Sequence, residues 1–273
     1  MVDVRKKVEE ITPEITQMRV HIHENPELSM KEYNTCALLE DYVKKNVKYD
    51  RLKRVGETGL FFELKGTKPG NGPTIVFRGD IDALPIQEDE HMSPRSKVPG
   101  VMHACGHDVH GTINVGAAKI LSEMKDQFSG SIYFFIQPAE EILQGAKLFL
   151  NDPEIDFDKI DAVAALHVSA ELDAGTIGVR YGAILASADG IRIRINGKGG
   201  HGAHCHTLRD PIVASAAVIN ALQTLVSRET NPANAVVISI CTIHAGEANN
   251  IVPDSVETVS YTHLRAHETS QDL

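Results

Sequence analysis

The stretch Ser131-Ile132-Tyr133-Phe134-Phe135-Ile136, followed at once by Gln137-Pro138-Ala139-Glu140-Glu141, decides the fold of this chain. Its first part is short, apolar and rich in aromatic and β-branched side chains, which predicts a strand buried within a sheet. Two adjacent carboxylates come directly after that strand. Open α/β sheets carry their sites beyond the carboxyl ends of strands, so the stretch also indicates where a site lies.

Similar short apolar runs alternate with helical patterns through the first two thirds of the chain. Helical spacing of apolar residues predicts helices at residues 4–18, 31–45, 111–124 and 145–150. Further strands are predicted at residues 60–64, 74–77 and 162–166, the last as a buried one. This alternation predicts an α/β fold with a mainly parallel sheet.

The pattern changes near residue 188. Isoleucine alternates with polar residues from Ile191 to Asn196, which is typical of a strand with one wet face. A helix at residues 211–226, capped by Asp210, and a strand at 235–243 follow. We therefore predict three segments. They are a metal-binding catalytic domain at 1–187, a smaller α/β lid and dimerisation domain at 188–260, and a tail at 261–273 that continues no pattern.

Composition excludes several classes of protein. The 273 residues are 42% hydrophobic and 23% charged, as in ordinary globular proteins, and the formal net charge of −10 argues against nucleic-acid binding. No run approaches the roughly 18 apolar residues that a membrane helix needs, and the first residues do not resemble a signal peptide. The four cysteines lie far apart, which favours reduced thiols and a cytoplasmic protein.

Side chains that can bind a metal or transfer a proton are most concentrated in the stretch Gly100-Val101-Met102-His103-Ala104-Cys105-Gly106-His107-Asp108-Val109-His110. This stretch holds three imidazoles, one thiol and one carboxylate, with glycines that let the backbone bend between them. Thiolate and imidazole are ligands suited to zinc and neighbouring first-row metals. A metal site is the interpretation that best explains so many such groups together.

Three other features follow predicted strands and can join this cluster. Asp80 and Asp82 follow one strand, Glu140 and Glu141 another, and His167 a third. Adjacent carboxylates suit a metallohydrolase, because one Glu can ligate the cation while the other takes a proton from water and returns it to the leaving group. Each feature alone is weak, but their shared position beside the Cys-Gly-His cluster favours an active site.

Five separated motifs, in order, resemble those of dinuclear-metal amidohydrolases. This family includes hippurate hydrolase, bacterial N-acyl-amino-acid deacetylases and plant auxin-conjugate hydrolases, within the wider aminoacylase and carboxypeptidase clan. The resemblance covers roughly residues 15 to 260. The motifs are residues 78–86, 100–110, 137–141, 197–201 and 249–254.

The resemblance implies specific roles for these residues. Metal ligands would be Cys105, His107, Glu141 and His167, with Cys105 shared between two cations, and Glu140 would be the general base. Asp80 or Asp82 would orient ligands, while His103, Asp108 and His110 remain open between that role and local structure. His201 would stabilise the oxyanion, often in the active site of a partner subunit, and Asn249 or Asn250 would contact the substrate carboxylate.

The implied reaction is metal-dependent hydrolysis of the amide bond of N-acyl amino acids. It would use two divalent cations per subunit, manganese or zinc first and cobalt or nickel next, in a homodimer formed through the lid domain. This sequence departs from the family at Cys205, where proline is usual, and in lacking a late histidine ligand, since the surroundings of His263 and His267 match nothing in the family. We therefore expect a C-terminally truncated member whose activity can be impaired.

Three other readings stay open. A metallo-dipeptidase or carboxypeptidase of the same clan is one, although Cys105 favours the amidohydrolase branch because the peptidase branches generally carry Asp at the bridging position. A thiol hydrolase with Cys105 as the nucleophile is another. A non-catalytic metal-binding or dimerisation fragment is the last.

Overall fold

The computed structural model describes residues 3–179, 181, 186–232 and 236–265. The chain divides into two compact units, Met1–Glu171 and Leu172–Leu273, and each is described by itself. The predicted domain limits at 187 and 260 therefore stay a prediction.

The first unit combines four helices with one five-stranded sheet. The helices are α1 (Val4–Glu24), α2 (Tyr33–Asn46), α3 (His107–Ser122) and α4 (Gly145–Leu150). The strands are β1 (Arg51–Val55), β2 (Gly59–Lys65), β3 (Thr74–Asp80), β4 (Ser131–Gln137) and β5 (Ala162–Ala165), in the order β1-β2-β4-β3-β5. Among the described residues, no helix is both long and apolar enough to cross a membrane.

The α/β class is confirmed, and the part of the sheet that carries the site is parallel. Strand β3 pairs parallel with both β4 and β5, whereas β1, β2 and β4 are antiparallel neighbours. The prediction that the strand at 162–166 is buried is wrong. Within the described chain β5 is an edge strand that pairs only with β3, and its Val163 is 67% exposed.

The opening stretch forms the central strand β4, and its side chains alternate between two cores. Phe134 stacks on Phe62 at 4.7 Å within the core that α1, α2 and α3 cover. Phe135 faces the other way and stacks on Phe149 of α4, also at 4.7 Å. Burial on both faces explains why this strand reads as a continuous apolar run rather than an alternating one.

The second unit is a three-stranded antiparallel sheet with one helix on it. Its main elements are β6 (Ala186–Asn196), α5 (Pro211–Thr224), β8 (Val237–His244) and β10 (Ser255–Arg265), with a short pair formed by β7 (Gly200–His201) and β9 (Ile251–Val252). Asp210 accepts hydrogen bonds from the Ile212 and Val213 N–H groups, as its predicted capping role requires.

The central strand of this sheet corrects the predicted tail. β10 pairs with β6 from Ser255 opposite Asn196 through Arg265 opposite Ala186. Residues 261–265 therefore continue a strand of the domain, contrary to the expectation that the pattern ends at 260. The strand was missed because its buried face carries Val256, Thr258 and Ser260, which are largely polar. Residues 266–273 of the predicted tail, including His267, lie outside the described residues.

Candidate metal centre

Three strand ends and one helix start bring the predicted site residues of the first unit together. Strands β4, β3 and β5 are parallel neighbours, so their carboxyl ends lie at one edge of the sheet. Asp80 ends β3, the Glu140-Glu141 pair follows β4, and His167 follows β5. Helix α3 begins at His107 beside this edge, where its N-terminus favours negatively charged neighbours. The fold therefore assembles one site from segments that are far apart in sequence.

Gly106 makes the turn into α3 possible. Its φ of 83° lies in the left-handed region, and a Cβ there would fall 2.3 Å from Cγ2 of Val168. Only glycine permits both this backbone conformation and this close approach. As a result the segment after β5 packs directly on the turn, and Cys105 Sγ lies 3.2 Å from His167 Nε2.

His107 is held from one side and left without a hydrogen-bond partner on the other. Its Nδ1 lies 3.2 Å from Asp82 Oδ1, while its buried Nε2 has no hydrogen-bond partner among the described residues. That nitrogen is 3.8 Å from Glu141 Oε1 and 3.9 Å from Glu140 Oε2. Burial lowers the pKa of His107, but the hydrogen bond with Asp82 and the nearby carboxylates outweigh it and raise the pKa to about 11. The surroundings thus favour positive charge at this point.

Asp82 ties the imidazole to the turn after β4. Its carboxylate accepts hydrogen bonds from the Ser29 hydroxyl at 2.6 Å and from the Glu140 and Glu141 N–H groups at 3.0 and 3.1 Å. Burial raises its pKa, but these bonds and the bond with His107 outweigh that effect, so the pKa of Asp82 lies below its ordinary value. Asp82 is therefore charged at neutral pH, and it fixes His107 and both glutamates together.

A strained backbone turn at Ala139 sets the direction in which the chain presents Glu140 and Glu141. Ala139 is fully buried and has a φ of 50°, which is uncommon for a residue with a side chain. Its N–H donates to Glu32 Oε1 at 2.8 Å, and its carbonyl accepts from the Gln144 and Gly145 N–H groups. Burial raises the pKa of Glu32, a residue that sequence reasoning missed. These bonds hold a backbone conformation that alanine would not adopt freely.

Asp80 supports a second imidazole. Its Oδ1 lies 2.6 Å from His110 Nδ1, and its Oδ2 lies 2.6 Å from Arg78 Nη1. Burial raises the pKa of Asp80, but the bond with His110 and the Arg78 charge lower it overall. The other nitrogen of His110 accepts the Val168 N–H at 3.0 Å. Both ring nitrogens of His110 are thus engaged within the protein.

Three groups of side chains place possible ligand atoms within 4.8 Å of one another. They are Cys105, His107 and His167; Asp80, His107 and His110; and His107, Glu140 and Glu141. Buried polar atoms without partners are rare in folded proteins, and two such atoms, His107 Nε2 and Glu141 Oε1, face each other here. A thiol, two imidazoles and a carboxylate match the donor set that zinc and its neighbours prefer. The fold therefore brings Cys105, His107, Glu141 and His167 together as candidate donors, with Asp80, His110 and Glu140 beside them.

Asp108 lies in a buried network with residues of α1 and with Glu88. Its Oδ2 is 2.9 Å from His23 Nδ1 and 2.7 Å from Arg19 Nε, and His23 Nε2 is 2.9 Å from Glu88 Oε1. This buried cluster joins α1 to the start of α3. Next to it, His103 is buried with neither ring nitrogen hydrogen-bonded, and burial lowers its pKa to about 4.

The remaining predicted residues belong to the second unit. Pairing of β7 with β9 places His201 opposite Ile251, and the Asn250 carbonyl accepts the Gly202 N–H at 2.8 Å. The fold therefore brings His201 close to Asn250, and His201, Asn249 and Asn250 are all exposed. Their roles stay a prediction. His204, Cys205 and His206 are also exposed, as expected of loop residues.

Fold and site geometry together define a metallopeptidase-like scaffold. The sequence profile of peptidase family M20/M25/M40 matches residues 76–267. This chain belongs to that family.

Individual relatives agree with this assignment. The chain is 40% identical over 257 residues to thermostable carboxypeptidase 2 of Saccharolobus solfataricus, covering 93% of this chain and 64% of that protein. It is 38% identical over 255 residues to the N-acyl-L-amino acid amidohydrolase of Geobacillus stearothermophilus, covering 93% and 68%. Its fold matches the Bacillus subtilis YXEP protein, described as a dinuclear metal binding peptidase, with a TM-score of 0.75 and 34% identity over 96% of this chain and 67% of that one. The chain therefore spans about two thirds of the length of these relatives.

Proposed function

We propose that the protein hydrolyses the amide bond of N-acyl amino acids at a metal centre formed by Cys105, His107, Glu141 and His167. The observation that carries the proposal is the pair of unpartnered buried atoms, His107 Nε2 and Glu141 Oε1, 3.8 Å apart beside the Cys105–His167 pair. A catalytic carboxylate, Glu140, lies next to them. The amidohydrolase relative from Geobacillus stearothermophilus supports the choice of reaction.

Each residue of the proposed centre has its own role in the hydrolysis of the amide bond. A divalent cation held by Cys105, His107, Glu141 and His167 would lower the pKa of a water molecule and polarise the acyl carbonyl. Glu140, whose side chain is 34% exposed and therefore reachable, takes a proton from that water and gives it to the departing amine. Asp82 holds the Glu140 and Glu141 backbone and the His107 ring at once, so the acid–base group and the ligands keep a fixed relation.

We propose that this centre would hold two divalent cations per subunit, manganese or zinc first and cobalt or nickel as alternatives, with Cys105, His107, Glu141 and His167 as the residues that would bind them. Thiolate and imidazole donors support a first-row metal. The description of the Bacillus subtilis structure as dinuclear supports the number.

The second unit supplies the remaining proposed roles. His201 stabilises the oxyanion, Asn249 or Asn250 contacts the substrate carboxylate, and a cytoplasmic homodimer forms through this unit. The adjacency of His201 and Asn250 across the β7–β9 pair, and their exposure, support a shared binding function. Sedimentation of the purified chain tests the dimer, and a purely monomeric species at micromolar concentration would contradict it.

The base assignment is tested by comparing Glu140→Gln with the parent on N-acetyl, N-benzoyl and indole-acyl amino acids. We expect kcat to fall by about 10²–10⁴-fold, as for other general bases, with bound metal unchanged. Glu141→Gln is the matched control, because it should lose metal as well as activity. Parental turnover by Glu140→Gln would end the assignment.

A carboxypeptidase is the second candidate, favoured by the relative from Saccharolobus solfataricus. Product analysis on an N-acyl dipeptide separates the two. The proposed activity releases the acyl group as a carboxylic acid, whereas a carboxypeptidase releases the C-terminal amino acid. A chelator separates both from a thiol hydrolase, which would keep its activity when metal is removed.

A further inference from the structure

We propose that His110 is a positioning residue, not a metal ligand, and that it clamps the segment carrying His167 against the start of α3. The inference deepens the proposed function, on which it rests for the ligand role of His167. It starts from the two hydrogen bonds of the His110 ring, to Asp80 and to the Val168 N–H.

These bonds determine which ring nitrogen accepts a hydrogen bond and which one donates. An N–H group only donates, so His110 Nε2 must accept the bond from Val168 at 3.0 Å. The proton of the neutral ring then lies on Nδ1 and donates to Asp80 Oδ1 at 2.6 Å. A ring in this state has no free lone pair for a cation. Ligation through Nε2 would require the Val168 N–H to give up its acceptor.

Two further contacts make this arrangement a clamp rather than a single bond. The Val168 side chain fills the space beside Gly106, where a Cβ would lie 2.3 Å from Cγ2 of Val168. The rings of His110 and His167 meet edge to face with centroids 4.6 Å apart. The segment is thus held at two consecutive residues, through the His167 ring and through the backbone N–H and the side chain of Val168.

The clamp has a direct consequence for the candidate ligand. β5 is an edge strand within the described chain and ends at Ala165, two residues before His167. His167 is exposed, and its own hydrogen bonds are with Cys105 and the Val168 carbonyl. The His110 bond to the next residue therefore helps to keep the His167 Nε2 beside Cys105 Sγ. Outer partners of this kind change metal affinity by about 10–100-fold.

A size-matched pair of variants isolates the bond to Val168. His110→Gln places a carbonyl oxygen at about the reach of Nε2 and can accept the Val168 N–H, whereas His110→Met has the same length and no comparable acceptor. Both variants lose the bond to Asp80, which keeps Arg78 as a partner. Any difference between the two therefore reports on the Val168 bond.

The first readout is hydrogen exchange at the Val168 amide in metal-free protein. We expect His110→Met to exchange about tenfold faster than the parent, and His110→Gln to stay near the parent. The second readout is zinc affinity by competition titration, which should fall about 10–100-fold in His110→Met and much less in His110→Gln. Equal melting temperatures of the two variants confirm that both fold.

The outcomes separate this inference from the proposed function. Equal Val168 exchange in the parent and both variants overturns the clamp, even if the parent binds zinc and turns over substrate. Equal loss of zinc in both variants, with Val168 still protected, also overturns it, because zinc binding would then not depend on the Val168 bond. A parent that binds no zinc removes the proposed function, while acceptor-dependent exchange at Val168 would still support the clamp.

Discussion

At the scale of single residues, Asp82 connects more of the candidate site than any proposed ligand does. It contacts the His107 ring and the backbone of both glutamates, and Ser29 completes its hydrogen bonding. A carboxylate is needed because all of these partners donate. An amide in its place would present one NH₂ group to donors that require acceptors.

Asp82→Asn should therefore weaken metal binding while preserving side-chain size. We expect zinc affinity to fall by about 10–100-fold, the usual effect of removing an outer partner of a ligating histidine. Competition titration with a chromogenic chelator measures it. Asp89→Asn, an exposed carboxylate outside the site, is the control. Equal affinities for the parent and Asp82→Asn would contradict the role given to Asp82.

His23 makes stability depend on pH. The hydrogen bond with Asp108 raises its pKa, burial lowers it, and the bond with Glu88 raises it further, for a net increase. Its stabilising contribution is fully present below the unfolded value of about 6.5 and is lost as pH rises through the higher folded value. His23→Gln should lower the free energy of unfolding by about 3 kcal/mol at pH 6, because two buried carboxylates lose their shared partner. This loss of stability should become smaller as the pH rises.

Urea unfolding of metal-free parent and His23→Gln between pH 5.5 and 9 measures this difference. A cost that stays constant over the range, or grows with pH, would show that the charge of His23 does not stabilise the fold.

Sequence reasoning found the residues with recognisable chemistry and missed those that act on backbone. Cys105, His107, Glu140 and Glu141 are brought together as predicted. Glu32 and the His110–Val168 bond were missed or left open because their partners are N–H groups of Ala139 and Val168. Such contacts depend on the geometry of the turn. The sequence does not indicate that Ala139 adopts a left-handed backbone conformation.

At the scale of elements, close packing of α3 on β3 sets the position of the site. A Cβ on Gly111 would lie 2.8 Å from Ile81 Cγ2, and one on Gly79 would lie 2.9 Å from the His110 carbonyl. Both contacts require the absence of a side chain. This approach is what allows Asp80 at the end of β3 to reach His110 in the first turn of α3.

Two glycines of α3 provide a matched test of this packing. Gly111→Ala should destabilise the protein by about 1–3 kcal/mol, because the new methyl group overpacks the β3 side. In Gly116→Ala the new methyl group meets only side-chain atoms, those of Ile15 from 3.2 Å and of Ile11 at 3.6 Å, and the residue gains helix propensity, so stability should stay within about 1 kcal/mol of the parent. Chemical denaturation measures both. Equal effects would show that α3 can shift away from β3 at little cost.

Strand prediction was clearest where a strand is buried on both faces, and it missed or misjudged the two edge strands of the first sheet. β4 reads clearly as a strand because both faces are covered. β1 was missed, since Arg51, Lys53 and Arg54 give it a charged pattern at the sheet edge. β5 was predicted as a strand but as a buried one, because alanine and valine fit an edge as well as a core.

At the scale of the whole molecule, the chain consists of two units with an exposed segment where the second begins. Ile177, Val179 and Tyr181 are 90%, 83% and 100% exposed. Exposed segments are the first to be cut, so brief chymotrypsin treatment should cleave at Tyr181 or Leu172 before sites in the sheets. Mass spectrometry of the fragments identifies the cut. Initial cleavage within β4 or α3 instead would contradict this description.

Cobalt titration followed by absorption tests the central claim, a metal centre that contains Cys105, most directly. Cobalt bound to a thiolate gives an intense near-ultraviolet charge-transfer band, which the parent chain should develop as metal is added. Cys105→Ser should lose the band, and Cys205→Ser, which alters an exposed thiol, should keep it. A band of the same intensity in Cys105→Ser, or no band in the parent, would contradict the claim.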